Sequence, residues 1–146
     1  MIRTASGSVE TDEALRRQAL DDLDALIEVA AETRQGLRQY QSVLEKNRRR
    51  LARGGRASEM PTIYDVRAVR TTITDRLDRL ERARNASRCS LWRLQVSEGT
   101  TLTEIARVWG LSRQLVSRAL ARDEAQGGGR RNERHFPGAG AAGSRR

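Results

Sequence analysis

Four polar residues within residues 113–118 have side chains suited to the edges of nucleic-acid bases. Arg113 and Arg118 carry guanidinium groups that can donate two hydrogen bonds to the O6 and N7 atoms of guanine. The amide of Gln114 can pair with N6 and N7 of adenine in the same way, and Ser117 follows three residues later. Because residues three and four apart share a helix face, we expect the four to act together. The alternative is an ordinary solvated helix face.

Other side chains are candidates for contacts with phosphate groups. These are the hydroxyl and guanidinium groups of Thr101, Thr103, Ser112, Arg48, Arg49 and Arg50. Ser112 is placed where a helix begins, and the free N–H groups of a helix N-terminus favour anions. The arginine run at 48–50 has a second interpretation, in which it complements the dipole at a helix C-terminus.

Candidate groups for catalysis or metal binding are few. Cys89 and His135 are the only cysteine and the only histidine, and they fall in a helix and in a Gly-rich tail. A lone cysteine excludes an intrachain disulfide and a cysteine-based zinc site. Residues 127–130, Gly-Gly-Gly-Arg, lack the spaced Gly-Lys-Ser/Thr of a phosphate loop. We therefore expect a binding protein without catalytic residues, metal or cofactor, rather than an enzyme.

The polar face at 113–118 is predicted to be positioned by two short helices and a tight turn. Thr101 and Glu104 match a capping box at the start of the first helix. Gly110 ends that helix, because glycine readily adopts the positive φ of a tight turn, and Ser112 caps the next helix. The apolar residues expected to face inward are Leu102, Ile105, Ala106, Trp109, Leu111, Val116, Ala119 and Leu120.

Residues 101–121 resemble the helix-turn-helix superfamily of DNA-binding domains, and look most like its resolvase and sigma-factor C-terminal members. That family has a small residue where the helices cross, a glycine in the turn and a branched apolar residue beneath the second helix. Ala106, Gly110 and Val116 occupy those positions here. The resemblance implies a helix at 112–121 that enters the major groove of duplex DNA. It does not extend to the long helices that precede it.

A long helix is predicted over residues 11–52, since proline is absent and Gly36 is its one glycine. Apolar residues recur in alternating steps of three and four, which is typical of a coiled coil. One seam position holds Leu23, Ala30, Leu37, Leu44 and Leu51, and the other holds Ala19, Leu26, Thr33, Tyr40 and Asn47. The alternative is an amphipathic helix in a compact bundle.

A turn is predicted at 53–61, and a second helix from Thr62. The apolar face of that helix is expected to contain Ile63, Val66, Val69, Ile73, Leu77 and Leu80. So short a turn favours antiparallel packing. We predict a homodimer through residues 15–51, helped by 63–80, with Thr33 and Asn47 setting the register.

Charge indicates a polyanionic partner. The chain has 28 Lys and Arg against 19 Asp and Glu, a formal net charge of +9, which favours nucleic acid or an anionic membrane surface. Residues 46–56 carry six basic residues and no acid, whereas residues 1–45 carry five arginines and nine acids. No signal peptide is recognisable, and no apolar run approaches the ~20 residues that span a bilayer. A cytoplasmic, nucleoid-associated protein without a membrane partner is expected.

Together these patterns predict an all-α protein with a coiled-coil-like helical hairpin followed by a tri-helical helix-turn-helix domain. The hairpin spans 11–84 and the domain spans 85–126, beginning with a helix that carries Trp92 in its core. Residues 1–10 and the basic tail 127–146 are predicted to be disordered. The function expected is a double-stranded-DNA-binding transcriptional regulator. The alternatives are a coiled-coil adaptor with a protein partner on the arm, and an accessory DNA-binding protein of a phage or mobile element.

Overall fold

The computed structural model describes residues 6–63 and 65–130, and every regular element in those ranges is helical, which confirms the all-α prediction. The helices are α1 Ser6–Ala52, α2 Met60–Ile63, α3 Val66–Ser97, α4 Leu102–Trp109 and α5 Arg113–Arg130, with a 3-10 turn at Ala57–Glu59. None of the described helices combines the length and hydropathy needed to cross a membrane. The chain divides into two units, residues 1–99 and 100–146.

α1 is one uninterrupted helix of 47 residues, about 70 Å long at ~1.5 Å per residue. It begins at Ser6, five residues before the predicted start at Thr11. The disorder predicted for residues 1–10 is therefore wrong for 6–10, and residues 1–5 lie outside the described part. Extending an existing helix adds one hydrogen bond for each residue fixed, and no proline interrupts the added turn.

The turn predicted at 53–61 contains more helix than expected. Gly54 has φ +85°, and the N–H of Gly55 donates to the carbonyl oxygen of Arg50 at 3.1 Å, which closes α1. Pro61 lies in the first turn of α2, where its missing N–H is not needed by the helix. The irregular part of the connection is therefore short.

α3 begins at Val66, later than the predicted start near Thr62. The residue before it, Asp65, accepts a hydrogen bond from the backbone N–H of Ala68 at 2.9 Å through its carboxylate. That bond satisfies one of the free N–H groups of the first turn and fixes the helix start. Ile63 consequently belongs to α2, and its assignment to the face of the second long helix was wrong.

α3 continues without interruption across residues 84 and 85, the position of the predicted domain boundary. The side chain of Asn85 donates to Glu81 at 3.2 Å, and the hydroxyl of Ser87 donates to the carbonyl oxygen of Arg84 at 3.2 Å. Because these side chains bond to groups of the preceding helical turn, they do not compete with the backbone hydrogen bonds that continue the helix. The division between the two units instead follows Gly99, which has φ +95°.

α1 and α3 pack antiparallel within the first unit. The guanidinium of Arg16 pairs with Glu98 at 3.1 Å, and that of Arg79 pairs with Glu32 at 2.9 Å. Early residues of α1 thus contact late residues of α3, and the pairing moves in opposite directions along the two helices. These ion pairs are exposed and contribute little free energy, so apolar packing carries the association.

One of the two predicted seam positions of α1 is turned inward. Ala19 and Thr33 are 2% and 4% exposed, and the positions seven residues apart in the same series, Leu26, Tyr40 and Asn47, are half-buried. In the other series, Leu37, Leu44 and Leu51 are 44%, 47% and 47% exposed. The expectation that both series face one seam was wrong for the structure of this chain. The residues that complete the inward face are Asp22, Val29, Gly36 and Val43.

α5 extends to Arg130, so the disorder predicted from Gly127 onward is wrong for residues 127–130. The three glycines at 127–129 lower helix propensity, but they continue an existing helix and no proline occurs there. The remaining part of the predicted basic tail, residues 131–146, lies outside the described residues.

Candidate nucleic-acid interface

α4 begins with the predicted capping box. The backbone N–H of Glu104 donates to the hydroxyl of Thr101 at 3.2 Å, and the backbone N–H of Thr101 donates to the carboxylate of Glu104 at 2.8 Å. The hydroxyl of Thr101 also donates to that carboxylate at 2.8 Å. The hydrogen bonds that the carboxylate accepts from the backbone N–H and the hydroxyl of Thr101, with help from the charge of Arg107, hold the pKa of Glu104 below its ordinary value. The start of α4 is thereby fixed by local bonds.

Gly110 ends α4 in the predicted left-handed conformation, with φ +65° and ψ +32°. The N–H of Leu111 donates to the carbonyl oxygen of Ala106 at 2.8 Å, and that of Gly110 donates to Arg107 at 3.3 Å. This pair of bonds is the Schellman arrangement, in which two end carbonyls of the helix are satisfied. The chain leaves α4 in a defined direction, which sets where α5 begins.

α5 is capped by Ser112, whose hydroxyl accepts a hydrogen bond from the N–H of Leu115 at 3.2 Å. One turn further, Val116 is fully buried. On α4, Ile105 and Ala106 are also buried, and α4 contacts α5 within the second unit. The inward side of α5 is therefore held by a small apolar core around these residues.

The four candidate base-reading residues lie on the exposed side of α5. Arg113, Gln114, Ser117 and Arg118 are all exposed. Within the part of the chain that the structure describes, none of these four side chains makes a hydrogen bond or ion pair. The two guanidinium groups and the amide therefore remain available to an external ligand, within two adjacent turns of one helix.

Arg122 extends this polar row, although it is not among the predicted site residues. It lies four residues after Arg118 and eight after Gln114, and it is exposed. Since residues four apart lie one above the other on a helix, the three side chains form one row along α5. The i, i+4 spacing was visible in the sequence and is the signal that would have included Arg122.

The predicted phosphate contacts near α4 differ in availability. The Thr101 hydroxyl already donates its one proton to Glu104, and the nearby carboxylate repels anions. A phosphate contact by this hydroxyl requires that bond to break. Thr103 is exposed, and no bond to its hydroxyl occurs within the described residues. Thr103 is thus the better phosphate candidate of the two.

The arginine run at the end of α1 belongs to the first unit and is partly committed to other contacts. The guanidinium of Arg50 pairs with Glu59 at 2.7 Å, and Nε of Arg49 donates to the carbonyl oxygen of Glu45 at 3.4 Å. Arg48 is exposed, and its side chain makes no contact of either kind in the described ranges. Of the three, Arg48 is the most available for phosphate.

The two tryptophans differ in exposure. Trp92 is fully buried, as predicted, and the guanidinium of Arg88 lies 5.0 Å from the centre of its ring. Trp109 was also expected to be core, but it is 43% exposed. That expectation was wrong because Trp109 is the last residue of α4. The chain turns away at Gly110, so no further turn of α4 follows to cover the side chain.

Candidate metal ligands do not converge in the residues that the structure describes. No group of three His, Cys, Asp or Glu side chains there is placed to hold a metal ion. Cys89 is 4% exposed, and His135 lies outside the described residues.

Comparison of the chain with family models, with curated proteins and with solved structures finds no significant match. The features of this chain that bear on function are the geometry and chemistry of the site itself. One side of α5 packs on the apolar core of the second unit. The other side presents a row of exposed polar side chains.

Proposed function

We propose that this protein binds duplex DNA, reads its sequence by inserting α5 into the major groove, and acts as a transcriptional regulator. In this proposal α4, the Gly110 turn and α5 form a helix-turn-helix. α1 and α3 form the N-terminal helical hairpin. The protein acts at the nucleoid, by binding rather than catalysis.

The observation that carries the proposal is the contrast between the two sides of α5. Val116 is 0% exposed, whereas Arg113, Gln114, Ser117 and Arg118 are exposed without partners in the described ranges. The major groove accepts one α-helix and presents acceptors to guanidinium groups and both donors and acceptors to amides. The first turns of a capped helix enter the groove first, and these turns carry all four side chains.

Electrophoretic mobility shift with random duplex DNA, at low and moderate salt, tests the proposal. We expect binding at low salt and a steep loss of affinity as salt rises, because contacts with phosphate release counterions. The double variant Arg113→Ala/Arg118→Ala should bind more weakly, by about tenfold or more. Arg67→Ala/Arg82→Ala removes the same charge from exposed positions on α3 and should retain most of the affinity. Equal losses in the two variants would contradict a reading role for α5.

Selection of bound sequences from a random DNA pool separates a regulator from an accessory DNA-binding protein of a phage or mobile element. A palindromic consensus supports a two-fold regulator, because the symmetry of a site mirrors that of a dimer. Recovery of DNA without a consensus supports the accessory alternative, in which binding depends on the phosphate backbone.

A second candidate function is an adaptor in which the second unit docks on another protein. Three apolar side chains of this unit favour it: Val108, Trp109 and Leu115 are 76%, 43% and 46% exposed. Exposed apolar side chains are typical of protein contacts when they form a patch. If the chain does not shift DNA even at low salt, while Val108→Ser/Leu115→Ser abolishes capture of a protein partner, the adaptor function replaces DNA binding.

A further inference from the structure

α1 has an apolar stripe that α3 does not cover. The stripe consists of Leu20, Ile27, Leu37, Leu44 and Leu51, whose exposed fractions are 57%, 67%, 44%, 47% and 47%. Within it, Leu20 and Ile27 are seven residues apart, as are Leu37, Leu44 and Leu51. Seven residues are close to two helical turns, so each set forms a row along the helix. Leu37 follows Leu20 by two heptads plus three residues, and because residues three apart are neighbours on a helix surface, the two rows lie side by side on one face. Extended exposed apolar surface of this kind marks a site of association.

Charge along α1 and the turn that follows it indicates what covers the stripe. Residues 11–32 contain seven acids and two arginines, whereas residues 33–56 contain eight basic residues and one acid. α3 does not cancel this asymmetry, since residues 66–80 and 81–98 each contain four arginines and two acids. The α1–α3 pair is therefore acidic toward one end of α1 and basic toward the other.

Many of these charges are unpaired within the chain. Asp21, Asp24 and Glu28 in the acidic segment make no ion pair in the described ranges, and neither do Arg48 and Arg53 in the basic segment. A second copy that lies parallel along the stripe opposes acid to acid and base to base. An antiparallel copy opposes acid to base at both ends, so the charge pattern selects the antiparallel arrangement.

The spacing of the stripe fits the same arrangement. An antiparallel overlap that brings Leu20 against Leu51 of a second copy also brings Ile27 against Leu44 of that copy. Both pairs are centred between Gln35 and Gly36, so one two-fold axis serves both. A patch that complements itself about such an axis is what an isologous dimer requires.

We propose that a second copy of this chain docks antiparallel on the apolar stripe of α1, forming a two-fold dimer in which Leu20 meets Leu51 of the other copy. The dimer contact then consists of leucine and isoleucine packing flanked by opposite charges. It involves only the first unit, so the proposal stands independently of DNA binding by α5.

Disulfide cross-linking in the full chain tests the proposal, with Cys89→Ala as the background. In an antiparallel dimer, Leu20→Cys mixed with Leu51→Cys should form a disulfide-linked dimer on oxidation. Neither variant should cross-link with itself, because equivalent residues are then about 46 Å apart along the helix axis, whereas a disulfide needs Cα atoms within about 7 Å. Ala31→Cys mixed with Ser42→Cys is the matched control, at exposed α1 positions outside the stripe, and should stay monomeric on the gel.

Sedimentation of the parent chain at micromolar concentration completes the test. We expect a dimer whose dissociation constant rises at least several-fold between low and high salt, because opposite charges are screened. Self-cross-linking of Leu20→Cys, or a dimer that tightens with salt, would overturn the antiparallel arrangement. A monomer that binds a different protein along the stripe would overturn the choice of a second copy. Circular dichroism identifies any cysteine variant that has lost its helices. In that case Leu44→Ser replaces the cysteine variant, and sedimentation should show that it weakens the dimer.

Discussion

The guanidinium of Arg76 lies across the backbone of Gly36 and donates a hydrogen bond to the carbonyl oxygen of Glu32 at 3.1 Å. A Cβ atom added at Gly36 would lie 2.7 Å from Cδ of Arg76 and 2.8 Å from its Cζ, which is closer than carbon atoms can pack. α1 thus uses its mid-helix glycine to admit a long polar side chain of α3, where the two helices pack closely.

A double-mutant cycle should measure this relationship. In an Arg76→Ala background, Gly36→Ala should raise the free energy of unfolding by about 1 kcal/mol, because alanine favours helix over glycine by that amount. In the parent the same change displaces Arg76 from its hydrogen bond, so the gain should disappear. Urea denaturation of the four proteins checks this, and equal effects in both backgrounds would contradict the contact.

The capping box of α4 should contribute to the stability of the second unit. Thr101→Ala removes the acceptor for the N–H of Glu104 and should cost about 1 kcal/mol. Thr103→Ala, an exposed threonine in the same turn, is the control and should change stability by no more than about 0.5 kcal/mol. Amide hydrogen exchange of α4 provides the measurement, and equal loss of protection in both variants would show that the cap has no special role.

The pH dependence of that cap follows from the lowered pKa of Glu104. A carboxyl group whose pKa is lower in the folded than in the unfolded state makes its full contribution to stability above its ordinary pKa of about 4.3. The contribution is lost as pH falls through the lower folded value. At about pH 7 the amides of α4 should therefore be better protected from hydrogen exchange in the parent than in Glu104→Gln. This difference in protection should shrink toward about pH 3. A difference that grows on acidification would contradict the assignment.

The amide of Gln114 is expected to read a base. Gln114→Ala should relax the preference at one base-pair position, costing about 1–3 kcal/mol in discrimination against the wrong base, with the fold unchanged. Gln126→Ala, at an exposed glutamine later in α5, should leave the preference intact. Affinity for cognate and scrambled duplexes provides the measurement. Val116→Asp should instead unfold the unit, because it buries a charge, and circular dichroism distinguishes the two effects.

The arginines at the end of α1 should differ in their effect on DNA binding. Arg48→Ala should lower affinity equally on all sequences and reduce the logarithmic salt slope by about one, because its guanidinium is uncommitted. Arg50→Ala should change the slope less, since Arg50 is already paired with Glu59. Mobility shift over a series of salt concentrations measures both slopes. Unchanged affinity and slope for both variants would mean that these arginines only complement the dipole at the C-terminus of α1.

The sequence predicted the local features of the candidate site correctly. The capping box of Thr101 and Glu104, the left-handed Gly110 and the cap at Ser112 all lie where expected. Each depends on hydrogen bonds between residues no more than five apart, or on the backbone freedom of one glycine. Such interactions are set by residue type and spacing, so they require no knowledge of distant parts of the chain. The all-helical class followed for the same reason, from apolar periodicity.

Tertiary packing decided the features that depend on residues far apart in sequence. Apolar residues of α1 recur at two heptad positions that neighbour each other on the helix surface. Only the contact with α3 buries the series of Ala19 and Thr33 while leaving that of Leu37 exposed. The crossing of Arg76 over Gly36 joins residues 40 positions apart, and the exposure of Trp109 depends on where the chain turns away. A periodic pattern specifies that a helix has an apolar side, but the neighbouring helix determines which part of that side is covered.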